Sequence, residues 1–212
     1  MMEFIKQPMA IEHRSMALIA PYLAGLSLSE AEKKVYSRII HAAGDVEYAP
    51  IIRISETAVA AGIAALCDGA DIYTDVEMVR TGINKRKLAS FGGTVHCRIA
   101  DPEIAARAKT QGVTRSLMAM RSFGAALTGS VIAIGNAPTA LFEVLRLVRE
   151  EGVRPACIVG IPVGFVGAAD SKKELAENGL VPYITVEGTK GGSPIAAAAV
   201  NAMLYEIDDG RD

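Results

Sequence analysis

The stretch Arg38-Ile39-Ile40-His41-Ala42-Ala43-Gly44-Asp45-Val46-Glu47 places one imidazole close to two carboxylates. Imidazole changes charge near neutral pH, so His41 is a candidate proton donor or acceptor. Ser29 starts a helix there, and Glu32, three residues on, completes a capping box. Val35, Tyr36, Ile39 and Ile40 form an apolar stripe at helical spacing. Gly44 is a natural terminator. His41 therefore falls in the last helical turn. The negative end of the helix and the carboxylates of Asp45 and Glu47 favour imidazolium. A histidine in a last turn also serves as a plain cap, and spacing alone leaves both readings open.

Three glycine-containing stretches are the second candidate: Gly135-Asn136-Ala137-Pro138-Thr139, Pro162-Val163-Gly164-Phe165-Val166-Gly167, and Glu187-Gly188-Thr189-Lys190-Gly191-Gly192-Ser193. Each follows an expected strand and precedes an expected helix. All three then belong at the carboxyl edge of a sheet, where open α/β folds bind ligands. Glycine lets backbone approach a ligand, and helix N-termini offer N–H groups to anionic oxygens. Lys172 and Lys190 suit an acidic ligand. Arg115 opposes the dipole at the start of a helix, which an anion held jointly with that N-terminus would explain. The plainer readings are tight turns, caps at Asn136 and Thr139, solvated lysines and a surface arginine. No Gly-x-Gly-x-x-Gly, Gly-x-x-x-x-Gly-Lys-Ser/Thr or Gly-x-Ser-x-Gly occurs, so dinucleotide, P-loop and acyl-hydrolase sites lack support.

The elements that position these groups follow from pattern. Helices are expected over Pro8–Tyr22, Ser29–Ala43, Ser55–Cys67 with Ser55 as cap, Asp75–Thr81, Pro102–Gln111, Thr114–Leu127, Pro138–Glu151, Asp170–Asn178 and Pro194–Ile207. Val46–Ile54 is expected to run extended, and Pro50 keeps it off a central strand. Strands are expected at Ala70–Thr74, Thr94–Ile99, Val131–Ile134, Ala156–Ile161 and Tyr183–Val186. The β-branched run Val131–Ile134 marks a strand buried on both faces. Lys85-Arg86-Lys87 reads as a solvated turn, and Asp208–Asp212 as a fraying tail. Alternating strands and helices give a three-layer α/β/α fold with a mostly parallel central sheet and glycine-rich loops at its carboxyl edge. Residues 1–212 are read as a single domain.

Bulk properties exclude several classes. The net charge is −2, which gives no basis for binding nucleic acid or a membrane surface. Half of the 212 residues are hydrophobic but only 5% are aromatic, so Ala and Gly do much of the packing. Cys67, Cys97 and Cys157 are scattered, as are His13, His41 and His96. That pattern fits a reducing cytoplasm and offers no local metal motif. Met1–Ala10 carries Glu3 and Lys6 and lacks a long apolar run, so no signal peptide is expected. A cytoplasmic protein is expected.

Taken together, the motifs resemble the precorrin-8X methylmutases of cobalamin biosynthesis. The resemblance rests on Ile134–Leu141, Gly160–Ala168 with Ser171-Lys172, and Lys190-Gly191-Gly192-Ser193 with residues 198–202. Further upstream it rests on Ile11-Glu12-x-x-Ser15, Arg38-x-Ile40-His41-Ala42-x-Gly44-Asp45, Thr74-Asp75-x-x-Met78-Val79-x-x-Gly82 and Thr114-Arg115-Ser116. It implies an isomerase that moves a methyl group from C11 to C12 of a ring-contracted tetrapyrrole by a suprafacial [1,5]-sigmatropic shift, without a redox cofactor. It implies His41 as general acid, Ser15 and Arg115 as site residues, and a homodimer with the site near the subunit interface. A flat apolar ring with carboxylate arms would suit Lys172, Lys190 and Arg115, with Arg53, Arg80 and Arg86 as further cations; Thr74, Asn136 and Ser15 would hydrogen-bond arms or ring edge. Ala43, Gly44-Asp45 and Gly82-Ile83-Asn84 look more like the enzymes that act on cobalt-precorrin-8, in which the cobalt belongs to the substrate. Two alternatives are a non-catalytic tetrapyrrole carrier and a Rossmann-type nucleotide-dependent oxidoreductase.

Overall fold

The structure is a computed structural model that describes residues 6–207. The first five residues, part of the stretch read above as lacking a signal peptide, and the tail Asp208–Asp212 lie outside the described residues. In chain order the elements are α1 (Pro8–Leu23), α2 (Glu30–Ala43), β1 (Ile52–Ile54), α3 (Ala58–Cys67), β2 (Ile72–Thr74), α4 (Glu77–Gly82), α5 (Lys85–Ser90), β3 (Val95–His96), α6 (Pro102–Gln111), α7 (Arg115–Phe123), β4 (Val131–Ile134), α8 (Pro138–Glu150), β5 (Cys157–Gly160), α9 (Ala168–Glu177), β6 (Tyr183–Val186) and α10 (Ser193–Tyr205).

One sheet runs in the order β1-β6-β5-β4-β2-β3. Only β1 is antiparallel, pairing Ile52 with Val186 at the sheet edge; Pro50 lies just before it, in the preceding turn. The central strands β4 and β5 are wholly buried, which matches their unbroken apolar runs. α2, α3 and α10 cover one face, with α1 and α4 outside them. α8 and α9 cover the other, with α7 packed on α8. This is the expected three-layer architecture. Small residues set its spacing: a Cβ on Gly82 would stand 2.8 Å from the Ala197 Cβ of α10. α10 itself is buried along most of its length.

α2 forms as its residues dictate. Ser29 Oγ accepts the Glu32 N–H, and Glu32 accepts the Ser29 N–H at 2.8 Å. Val35, Tyr36, Ile39 and Ile40 are buried, and Gly44 closes the helix in the left-handed region (φ 62°). This region favours glycine.

Several segments differ from expectation. Val46–Ile51 is a 3-10 turn rather than extended, because Asp45 caps it through the Glu47 N–H at 2.9 Å. Ser55 does not cap α3; its hydroxyl accepts the Tyr183 N–H at 2.9 Å and ties β1 to β6. Thr94–Ile99 pairs only over Val95–His96, held by Asp71, which meets the Thr94 N–H and the His96 ring, each at 2.8 Å. The helix from Thr114 ends at Phe123 and continues as a 3-10 turn, Gly124–Leu127. Lys85–Lys87 is helical, with Asn84 as its cap.

Asp75 is not helical either. Its side chain is fully buried and accepts N–H groups from Gly135 (3.0 Å), Asn136 (2.9 Å) and Ala137 (2.7 Å). Burial raises its carboxyl above the usual carboxylate range, while the three donors pull the other way. Asp75→Ala leaves those three donors without their acceptor, a loss of roughly 3 kcal/mol or more. Urea unfolding should show it as a lower midpoint; an unchanged midpoint would mean that water substitutes for the carboxylate.

Candidate functional site

His41 stands exposed in the last turn of α2. Its carbonyl accepts the Gly44 N–H at 3.2 Å, and the Ile40 carbonyl accepts the Asp45 N–H at 3.4 Å. The third glycine loop reaches this helix end. Lys190 Nζ lies 2.6 Å from Asp45 and 3.1 Å from Glu47, and 5.4 Å from the centre of the Tyr48 ring. Hydrogen bonding to Lys190 holds the Asp45 carboxyl low, and bonding to Asp45 and then Glu47 pushes the Lys190 amine up. The two carboxylates expected to act on His41 are thus engaged by Lys190. Lys190, expected to meet a ligand, is already paired.

A groove of about 420 Å³ lies between α1 and α2, lined by Glu12, Met16, Ser37, Arg38 and Tyr205 among others. Its α2 residues Glu30, Lys33, Lys34, Ser37 and Arg38 recur at helical spacing, and His41 continues the same face one turn on. Ser15 lies on α1, half-buried, with its hydroxyl donating to the Ile11 carbonyl at 2.9 Å. Arg38 is fixed by Glu12 of α1 at 2.5 Å.

The three glycine loops form one rim. Gly164 N–H donates to the Thr189 carbonyl at 3.1 Å, and Gly192 N–H to the Ile161 carbonyl at 3.0 Å. Two glycines make this contact possible. A Cβ on Gly135 would stand 2.7 Å from Ser193 Cα, and one on Gly191 (φ 151°) would stand 2.6 Å from the Ile161 oxygen. The second loop projects Phe165 and Val166, 96% and 90% exposed.

Arg115 reaches this rim through α7. Thr114 caps α7 and its hydroxyl lies 2.7 Å from that of Thr139, the second residue of α8. Farther along, Glu143 clamps α7 to α8. It is 3% exposed and meets Arg121 in two bonds of 2.9 Å and Arg146 at 2.7 Å. Burial would raise the Glu143 carboxyl, but the two guanidiniums outweigh it and hold it low. Arg115 itself is exposed and has no ion pair among the described residues. Asn136 is exposed on the rim, with its N–H on Asp75.

Other expected site residues point elsewhere. Thr74 is fully buried and its hydroxyl donates to the His96 carbonyl at 3.0 Å, so it is out of reach of a ligand. Lys172 is 1% exposed and its amine donates to the Lys190 carbonyl at 2.6 Å. Burial pulls that amine down to about 8. Arg53 pairs with Glu187 and Arg80 with Glu77. Arg86 sits exposed on α5, whose cap Asn84 docks on Asn201 and on Tyr205, a residue that also lines the α1–α2 groove. Among the described residues no group of three or more His, Cys, Asp or Glu could hold a metal ion. No described helix is long and apolar enough to cross a membrane. Glu143 and Tyr48 carry parts of this site that the sequence reading did not single out, and Asp75, read there as part of a motif, holds the first glycine loop.

A parallel sheet with a glycine-built rim and an exposed imidazole, and without a nucleotide fingerprint, defines an α/β enzyme with an open ligand site. The family model for precorrin-8X methylmutase matches residues 10–206. A precorrin-8X methylmutase of Sinorhizobium sp. is 43% identical over 95% of this chain and 96% of its own. A cobalt-precorrin-8 methylmutase of Priestia megaterium is 38% identical over 96% of this chain and 90% of its own. The crystal structure of a precorrin-8X methylmutase from Thermus thermophilus superposes with a TM-score of 0.83 at 36% identity, covering 92% of this chain and 96% of that one. The chain belongs to the precorrin-8X methylmutase family, and it is an isomerase.

Proposed function

We propose that this enzyme moves a methyl group from C11 to C12 of a precorrin-8-type tetrapyrrole in cobalamin biosynthesis, with His41 as general acid. One observation carries the assignment of the acid. His41 is exposed at the end of a firmly capped helix, on the face that lines the α1–α2 groove and beside the loop three contact. Imidazolium donates a proton to the macrocycle, the added positive charge draws electron density from the C11 region, and the methyl group migrates. The neutral imidazole then recovers the proton. The reaction is an isomerisation, so no redox equivalent enters or leaves. Around the ring, the apolar Phe165 and Val166 suit a flat face, and the unpaired Arg115 suits a carboxylate arm. Ala43, Gly44-Asp45 and Gly82-Ile83-Asn84 favour the cobalt-bearing substrate. Relatives named for either substrate have comparable identity, so both substrates belong in the assay.

The homodimer has a surface to form on. Ile11, Leu18 and Tyr22 are 45%, 61% and 54% exposed. With Ser15 they recur at helical spacing on one stripe of α1, an apolar stripe on an outer helix without a partner among the described residues. A second copy seated there would cover that stripe and bring the groove beside Ser15 and Arg38 to the subunit interface.

Three outcomes test this reading. His41→Ala should fold and still bind substrate, yet lose turnover by ~10²–10⁴-fold, read from the visible spectrum of the macrocycle. Unchanged turnover would remove His41 from the acid role, and binding without conversion by the unaltered protein would indicate a carrier. Arg115→Ala should weaken binding more than chemistry, raising KM with kcat nearly intact; intact affinity would make it a surface residue. Leu18→Glu should shift the sedimentation coefficient from dimer to monomer, and a persistent dimer would place the interface elsewhere.

A further inference from the structure

Lys172 is a residue that α9 does not need for packing. Ala168, Ser171, Lys172 and Leu175 form the buried side of that helix. A methionine would fill much the same volume without a charge to desolvate. A buried ammonium is costly, and this one has three donors but, among the described residues, a single protein acceptor and no ion pair. That acceptor is the carbonyl of Lys190. The side chain of the same Lys190 binds Asp45 and Glu47, which directly follow the helix end that carries His41. The chain of contacts therefore runs from α9, through one residue of loop three, to the His41 turn.

We propose that Lys172 is a positioning residue for His41: its amine fixes loop three through the Lys190 carbonyl, and Lys190 fixes the end of α2. The turnover part of this inference rests on His41 being the acid; the spectroscopic part does not. The charged groups facing Lys172 are few. Arg53 and Glu187 pair with each other across β1 and β6, and Lys173 and Glu177 lie on α9 itself. None of these carboxylates forms an ion pair with Lys172, so the Lys190 carbonyl is its anchor.

Two consequences have opposite signs. When the amine loses its proton, near pH 8, its bond to Lys190 loses charge assistance and loop three loosens. The same deprotonation removes a buried charge. The folded state then binds fewer protons than the unfolded one, so global stability rises with pH between about 8 and the unfolded lysine value near 10.4. In this window turnover should fall while the melting temperature rises.

The test compares the unaltered protein with Lys172→Met by histidine NMR and by kinetics. The sequence holds three histidines, and His41→Ala assigns the His41 signal. Lys172→Met is expected to move the His41 titration and leave His13 and His96 in place. It should lower kcat by about tenfold with little change in KM, as a misplaced catalytic group does, and abolish the alkaline limb near pH 8. An unmoved His41 titration would overturn the proposal. So would an alkaline limb shared by both proteins. Lys190→Met breaks the same chain of contacts if Lys172→Met folds poorly. It should move the His41 titration in the same direction, and the double variant should add nothing further. A moved His41 signal in a protein that converts neither substrate would leave this inference standing and sink the methylmutase reading.

Discussion

A buried carboxylate with no cation beside it fixes the mouth of the site. Asp75 leaves β2 directly opposite the exit of β4, because Thr74 pairs with Ala133. Its two oxygens take the place of water for the N–H groups of Gly135, Asn136 and Ala137. A buried acid is tolerable only where donors replace its hydration. With the loop fixed, Pro138 starts α8 at a defined point, and Thr139 meets Thr114 at the start of α7. The position of Arg115 therefore descends from Asp75 through two helix starts. The Glu143 clamp between α7 and α8 holds that geometry at its far end.

On the opposite side of the rim, the end of α2 is tied on by weaker bonds. Lys190 holds Asp45 and Glu47 from a side chain that is 41% exposed. Exposed ion pairs of this kind add little to stability, because water screens them. They set a register more than they stabilise. The first glycine loop is thus locked to β2 by a buried carboxylate, whereas the end of α2 beside His41 is tied to loop three by exposed pairs. A large rigid ligand needs such a side if it is to enter and leave.

What could be read from the sequence divides along the range of the interactions. α2 and its caps, the buried strands and the three loops depend on residues close in the chain, and local rules find them. The Val46–Ile51 turn escaped because Val, Tyr and Ile favour strands, while a single capping bond from Asp45 bends the chain. Thr74 looked like a ligand contact because it ends a strand at the carboxyl edge. Its hydroxyl is taken by the His96 carbonyl of a short neighbouring strand, which no local rule indicates. Lys172 was legible in part. Ala168, Lys172 and Leu175 fall at the i, i+4, i+7 positions of an apolar stripe, and that spacing marks an inward-facing lysine.

The α1–α2 groove has walls from only the outer helix α1, from α2 and from the end of α10. A macrocycle with many carboxylates has two broad faces to cover, and an open groove of this kind offers walls on one side. α1 is also the helix whose outer stripe is apolar and unpartnered among the described residues. Ser15 belongs to both features: it borders the groove through its neighbours Glu12 and Met16, and it interrupts the stripe between Ile11 and Leu18. A polar residue in an apolar stripe weakens docking unless it has a separate use. The same placement that makes Ser15 a poor contact for a partner would suit a polar ligand group in the groove, were a second copy to cover the stripe.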